Sequence, residues 1–310
     1  MKRKKEKEME VYTKSKIKRS KEDLLFDIFI YIFLGALLLI VAYPLYFVVL
    51  ASFSEVGMVN RGEVVLWFKG FNVEGYKKIL SDNTIWRSYL NTFIYVGLGT
   101  SLSVIVTMMI AYPLSRSRFS GRNVIMLLLM ITMYFSGGMI PSYILITKLG
   151  LRNTTLLMII LGCVSVYNII VTRTFLKSNI SDDLEAAASI DGCGSIQFFI
   201  RIVLPLSKAI MAVLVLYYGV GKWNDYMQPM IYLDDEEKFP LALKLREILL
   251  VANSSIDYDA LDPVELERRI QIAESMKYGV MIVSTIPVLC LYPFLQKYFV
   301  KGVMIGSVKE

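Results

Sequence analysis

DDLEAAASIDGCGSIQFFIRIVLPLSKA (residues 182–209) is a short polar interruption between two long apolar runs. Leu184, Ala187, Ala188 and Ile190 keep helical spacing until Asp191 and Gly192 break it. Ile196, Phe199, Ile202 and Val203 resume the pattern, and Pro205 is expected to stop it. The stretch reads as two small helices about a glycine hinge. Residues 182–197 hold Asp182, Asp183, Glu185 and Asp191 and no base. A helix lying on lipid usually shows Lys or Arg on its polar face. Acids without bases therefore favour docking on protein over docking on lipid.

The flanks place this loop in a membrane. The chain has 310 residues, 55% of them hydrophobic, and a mean hydropathy of +0.53. Soluble domains do not sustain that average, and a polytopic membrane protein does. The chain contains no histidine, which removes His-based acid/base catalysis, Ser-His triads and most zinc sites. Cys163, Cys193 and Cys290 show neither metal spacing nor a disulfide pattern. Residues 1–23 hold ten Lys or Arg against five acids. Before a membrane helix, such a tail reads as a cytoplasmic retention signal rather than a nucleic-acid arm or a cleavable leader.

Uncharged or nearly uncharged runs at residues 28–51, 89–114, 123–147, 153–172, 209–233 and 278–295 predict six spans. The first is long enough to cross roughly 30 Å of hydrocarbon, and Pro44 should kink its outer end. Small residues such as Gly97, Gly99, Thr100 and Ser101 in the second run suit close helix packing. Gly137, Gly138 and Pro141 predict a broken third span. Arg116, Arg118 and Arg122 follow the second run, and Arg173 and Lys177 follow the fourth. These bases put the 182–209 loop and both termini inside. Lys222 and Asp225 share one helical face and can pair, either at membrane depth or among headgroups. Residues 234–277 form the longest outer segment, with eleven acids against six bases and two helical patterns, at 240–251 and 263–275. The expected fold is all-α and integral to the membrane. It divides into a basic tail (1–23), a six-helix membrane body (24–297) with the loop at 181–206 and the insertion at 234–277, and a cytoplasmic tail (298–310).

The order Glu185-Ala186-Ala187, three residues, Asp191-Gly192, then Ile202-Val203-Leu204-Pro205 resembles the EAA signature of ABC importer permeases. NTFIYVGLGT at 91–100, WNDY at 223–226 and the YFVKGVMIGSVK ending resemble the second permease subunit of carbohydrate importers, the maltose-permease-like group. FSGGMIPSYILITKLGL at 135–151 is similar to the branch serving oligosaccharides from polysaccharides. The resemblance implies the type I importer permease fold and a loop seated in a cleft of an ATPase subunit. It implies that Glu185 supplies a charged contact there, that Ala186 and Ala187 allow close approach, and that Gly192 permits the turn. It also implies four partners: a second permease, an ATPase dimer, an extracellular solute-binding protein and a sugar or oligosaccharide. Cys193 departs from the alanine common in the family.

No G-x-x-x-x-G-K-[ST] occurs, so the chain is expected to bind no cofactor itself and to catalyse nothing. ATP and Mg would sit in the partner ATPase. Tyr167, Asn168, Tyr217 and Asn224 are candidate sugar contacts by depth, since aromatics stack on sugar faces and amides bond hydroxyls. Three other readings stand beside the importer: a membrane-embedded enzyme, an ion-driven carrier, and an ABC permease for another solute.

Overall fold

The computed structural model describes residues 21–253, 274 and 276–290. Among them all regular structure is helical. The helices are α1 (Lys21–Ser52), α2 (Val56–Asn60), α3 (Glu74–Ser81), α4 (Asn83–Ser115), α5 (Arg122–Tyr134), α6 (Met139–Lys148), α7 (Thr155–Ile160), α8 (Val166–Asn179) and α9 (Asp182–Ile190). They continue as α10 (Ser195–Leu206), α11 (Lys208–Asn224), α12 (Met227–Tyr232), α13 (Leu241–Asn253) and α14 (Met276–Cys290). The expected helix at 263–275, both tails and the end of the sixth run lie outside the described residues. Among the described residues, only α1 and α4 are each long and apolar enough to cross a membrane unaided. The pairs α5–α6 and α10–α11 pass the same test together but bend by 109° and 78°.

α4 is the central post. At 33 residues it runs about 50 Å, beyond the hydrocarbon thickness. Thr92, Gly99, Thr100, Ser103 and Thr107 are buried along it, and α8 and α11 pack there. Their small side chains let neighbouring backbones approach, as the sequence suggested. Thr92 and Ser103 donate to carbonyls one turn back, so their hydroxyls enter the apolar interior satisfied.

At the far end of α4, Asn91 Nδ2 donates to Glu237 O and Phe239 O, and Tyr95 donates to Lys238 O. Thr92 Oγ1 accepts from Leu241 N–H at 2.8 Å, and Arg87 pairs with Glu237 at 2.7 Å. The start of the 234–277 segment is thus folded onto α4. By contrast, α1 buries only Leu50, Ala51 and Ser52 at its end, against Val59 and Val64. The rest of its apolar length is bare in the single chain.

Of the breaks expected within the runs, two are found and one more is added. α1 runs through Pro44 without a helical break. The third span breaks at Phe135–Gly138, where Gly138 has φ +84°, as the glycine pair foretold. The fourth run, expected as one helix, is divided at residues 161–165 between α7 and α8. Gly162 turns there at φ +72°, and Ser165 Oγ caps Asn168 N–H. α10 ends at Leu206, one residue past Pro205, after a π turn at Phe199–Val203, and the chain bends by 78° into α11 at Ser207, as the proline foretold.

Candidate coupling site

The 182–206 loop folds as two helices about a turn. Ser181 Oγ accepts from Leu184 N–H, and the three acids of the first turn suit the positive helix end. α9 closes with Cys193 N–H bonding Ala188 O at 2.9 Å and Gly192 N–H bonding Ser189 O at 3.1 Å. That closure needs a left-handed residue, and Gly192 has φ +81°. A Cβ there would meet nothing within 4 Å, so the demand is conformational only. Gly192→Ala is therefore expected to destabilise the protein by about 1 kcal/mol. Thermal unfolding in detergent measures this, and a loss several times larger would show crowding instead.

The loop has two faces. Ala188 and Phe198 sink into the core formed by Met108, Leu114, Leu176, Ile180 and Val203, with Ile202 and Cys193 packed against it. The other face carries Ile190 and Ile196, 88% and 78% exposed, beside a groove lined by Gly194, Ile196, Gln197, Ile200 and Arg201. Ala186, Ala187, Asp191, Gly192 and Pro205 are exposed with them. The loop is thus bolted to the bundle from behind and apolar in front. Glu185 is different. Its side chain is 12% exposed and turned inward, with Oε2 3.9 Å from Arg116 Nη1. Sequence spacing held no sign of this, because Arg116 lies on another helix end.

Of the candidate sugar contacts, Tyr167 and Tyr217 come together. Their rings lie 6.3 Å apart at 70°, each about half exposed. Asn168 is buried instead, and Asn224 Nδ2 donates to Val220 O within its own helix. Neither joins the tyrosine pair. Lys222 and Asp225 do not pair as their spacing allowed. Lys222 Nζ donates to Met158, Ile159 and Leu161 carbonyls at 3.0–3.2 Å, closing the end of α7. Asp225 lies just past α11, and its Oδ1 accepts from Gln228 N–H.

A central post, broken spans and a core-anchored loop with a bare apolar tip define a helical membrane component built to be worked by another subunit. Residues 80–305 match the family described as the binding-protein-dependent transport system inner membrane component. The chain belongs to that family. It is a membrane subunit, and in this family ATP hydrolysis resides in a separate chain. It is 38% identical over 291 residues to the polygalacturonan/rhamnogalacturonan transport system permease protein YtcP of Bacillus subtilis (strain 168), covering 92% of this chain and 98% of that one. Protein LplC of the same organism is 34% identical over 290 residues, covering 94% of this chain and 97% of its own length. A solved chain of a bacterial ABC transporter involved in the import of the acidic polysaccharide alginate superposes with a TM-score of 0.80. It is 31% identical and covers 91% of this chain and 99% of that chain.

Proposed function

We propose that this chain is one permease half of an ABC importer for oligosaccharides bearing uronic acids. The observation that carries the reading is full-length similarity to a permease named for polygalacturonan and rhamnogalacturonan transport, joined by the alginate importer. A second permease would cover the apolar length of α1 and α4 that one chain leaves bare. An ATPase dimer would seat Ile190 and Ile196 of the loop in its clefts, with Ala186 and Ala187 at the approach. An extracellular solute-binding protein would meet the 234–253 surface. The six spans are α1, α4, α5–α6, α7–α8, α11 and α14, with both termini and the loop cytoplasmic. Arg116, Arg118, Arg122, Arg173 and Lys177 at the loop end support that orientation. The half-exposed Tyr167–Tyr217 pair is the part of the sugar path that this chain supplies.

Uptake by cells tests the reading. Labelled tri- and tetragalacturonate are expected to enter cells carrying the gene, and not cells in which it is deleted. Maltotetraose and neutral arabino-oligosaccharides should be taken up equally by both. Gene-dependent entry of a neutral oligosaccharide alone would overturn the acidic assignment. Entry that survives loss of the ATPase would overturn the importer.

A further inference from the structure

We infer that Arg116 is the positioning residue that ties the coupling loop to two membrane helices, so that a push on the loop moves both. The inference rests on the importer reading above. Arg116 follows the last residue of α4 and is 4% exposed, an unusual place for a guanidinium. Nη1 donates to Ile180 O at 3.0 Å and Nη2 to Leu176 O at 3.1 Å. Leu176 lies in the last turn of α8, where its carbonyl also accepts from Ile180 N–H at 3.0 Å, and Ile180 is the C-cap of that helix. Nε donates to Ser115 Oγ at 3.0 Å. The stitch is returned from the other side, because Arg173 of α8 donates Nε–H to Leu114 O, a terminal carbonyl of α4, at 2.9 Å. Each helix end is thus closed by an arginine belonging to the other. Arg122 Nη1 adds a bond to Arg116 O at 2.9 Å, drawing in the start of α5.

The loop enters at the same point. Ile180 is the C-cap of α8 and Ser181 the N-cap of α9, so Arg116 bonds the joint between them. Nη1 also faces Asp182 at 3.5 Å and Glu185 at 3.9 Å. Glu185 Oε2 is buried and makes no hydrogen bond, and the Tyr112 hydroxyl makes none either. Buried acceptors are rarely left so. The carbonyl bonds are closed and fixed, while the Glu185 bond is open by about 1 Å relative to a charged hydrogen bond. α9 therefore has one rigid tether and one that a small shift would close. The Tyr112 ring lies 5.8 Å from the same guanidinium.

Lysine does not replace this arginine. It offers three donors from one point, whereas the site uses a planar fork reaching two carbonyls, a hydroxyl and a carboxylate.

The test needs no knowledge of the sugar. Cys163, Cys193 and Cys290 are replaced by alanine, and Tyr217→Cys is introduced as reporter in the assembled transporter. Proteoliposomes with the outer face outward are loaded with ATP and vanadate and exposed to an impermeant maleimide. In this parent, nucleotide trapping is expected to raise labelling about tenfold. In the Arg116→Gln background the complex should still co-purify and hydrolyse ATP, while the labelling response falls to less than about twofold. Arg116→Lys should recover part of the response. A full response in Arg116→Gln overturns the inference and leaves the importer reading intact. No response in the parent overturns the reading itself, and the inference with it. Should Arg116→Gln fail to assemble, Arg116→Lys decides alone, and a parental response there refutes the role of the fork.

Discussion

Glu185→Lys is expected to lower uptake by about a hundredfold or more while the protein still inserts and reaches the membrane in normal amount. The side chain is 12% exposed and its carboxylate lies 3.9 Å from the Arg116 guanidinium, itself 5% exposed. A lysine there sets two cations side by side with little water to screen them. Inverting one partner of a buried pair costs about 3 to 5 kcal/mol. The bundle is not asked to absorb that cost, because α9 is short and its outer face is bare, so the helix can swing its first turn away. That displacement is what would cut transport, since it moves Ala186, Ala187 and Ile190 out of the proposed docking position. Glu185→Gln keeps the shape and loses only the charge, so its loss should be much smaller. Quantifying membrane-inserted protein beside uptake separates the two arms. Normal uptake with Glu185→Lys would show that the carboxylate has no part in coupling.

The loop was legible from sequence because its determinants are local. Apolar spacing gives α9 and α10, and Gly192 supplies the one left-handed residue that the turn requires. The broken third span was legible for the same reason, from Gly137 and Gly138. Arg116 was read only as one of several bases marking the inner side, because its role depends on carbonyls at residues 176 and 180, far along the chain. The Lys222–Asp225 pairing failed because the i, i+3 rule presumes a continuous helix. α11 stops at Asn224, which frees Asp225 to cap the next turn. Pro205 marked the end of α10 to within one residue, because a proline cannot continue the backbone hydrogen-bond ladder. Depth in a span also does not tell exposed from buried side chains: Tyr167 is exposed and its neighbour Asn168 is buried.

Removing Lys222 should have the second large effect, on stability rather than coupling. Its ammonium closes three carbonyls where α7 ends, at Met158, Ile159 and Leu161. Lys222→Ala leaves them without it, and at about 1 kcal/mol or more per stranded group the loss is about 3 kcal/mol. Gly99 shows how closely the lysine is held. A Cβ on Gly99 would lie 2.5 Å from Lys222 Cε and 2.8 Å from both Cδ and Nζ. A flexible lysine would normally step aside at little cost, but this one is bound at its tip by all three carbonyls. Gly99→Ala is thus expected to cost a large part of what Lys222→Ala costs, by evicting the same ammonium. In the double variant the alanine methyl enters space already emptied, so the second change should add almost nothing. Thermal unfolding of the four proteins in one detergent closes this cycle. Simple additivity would mean that Gly99 and Lys222 act independently, and that α7 is held at its end by something other than the lysine.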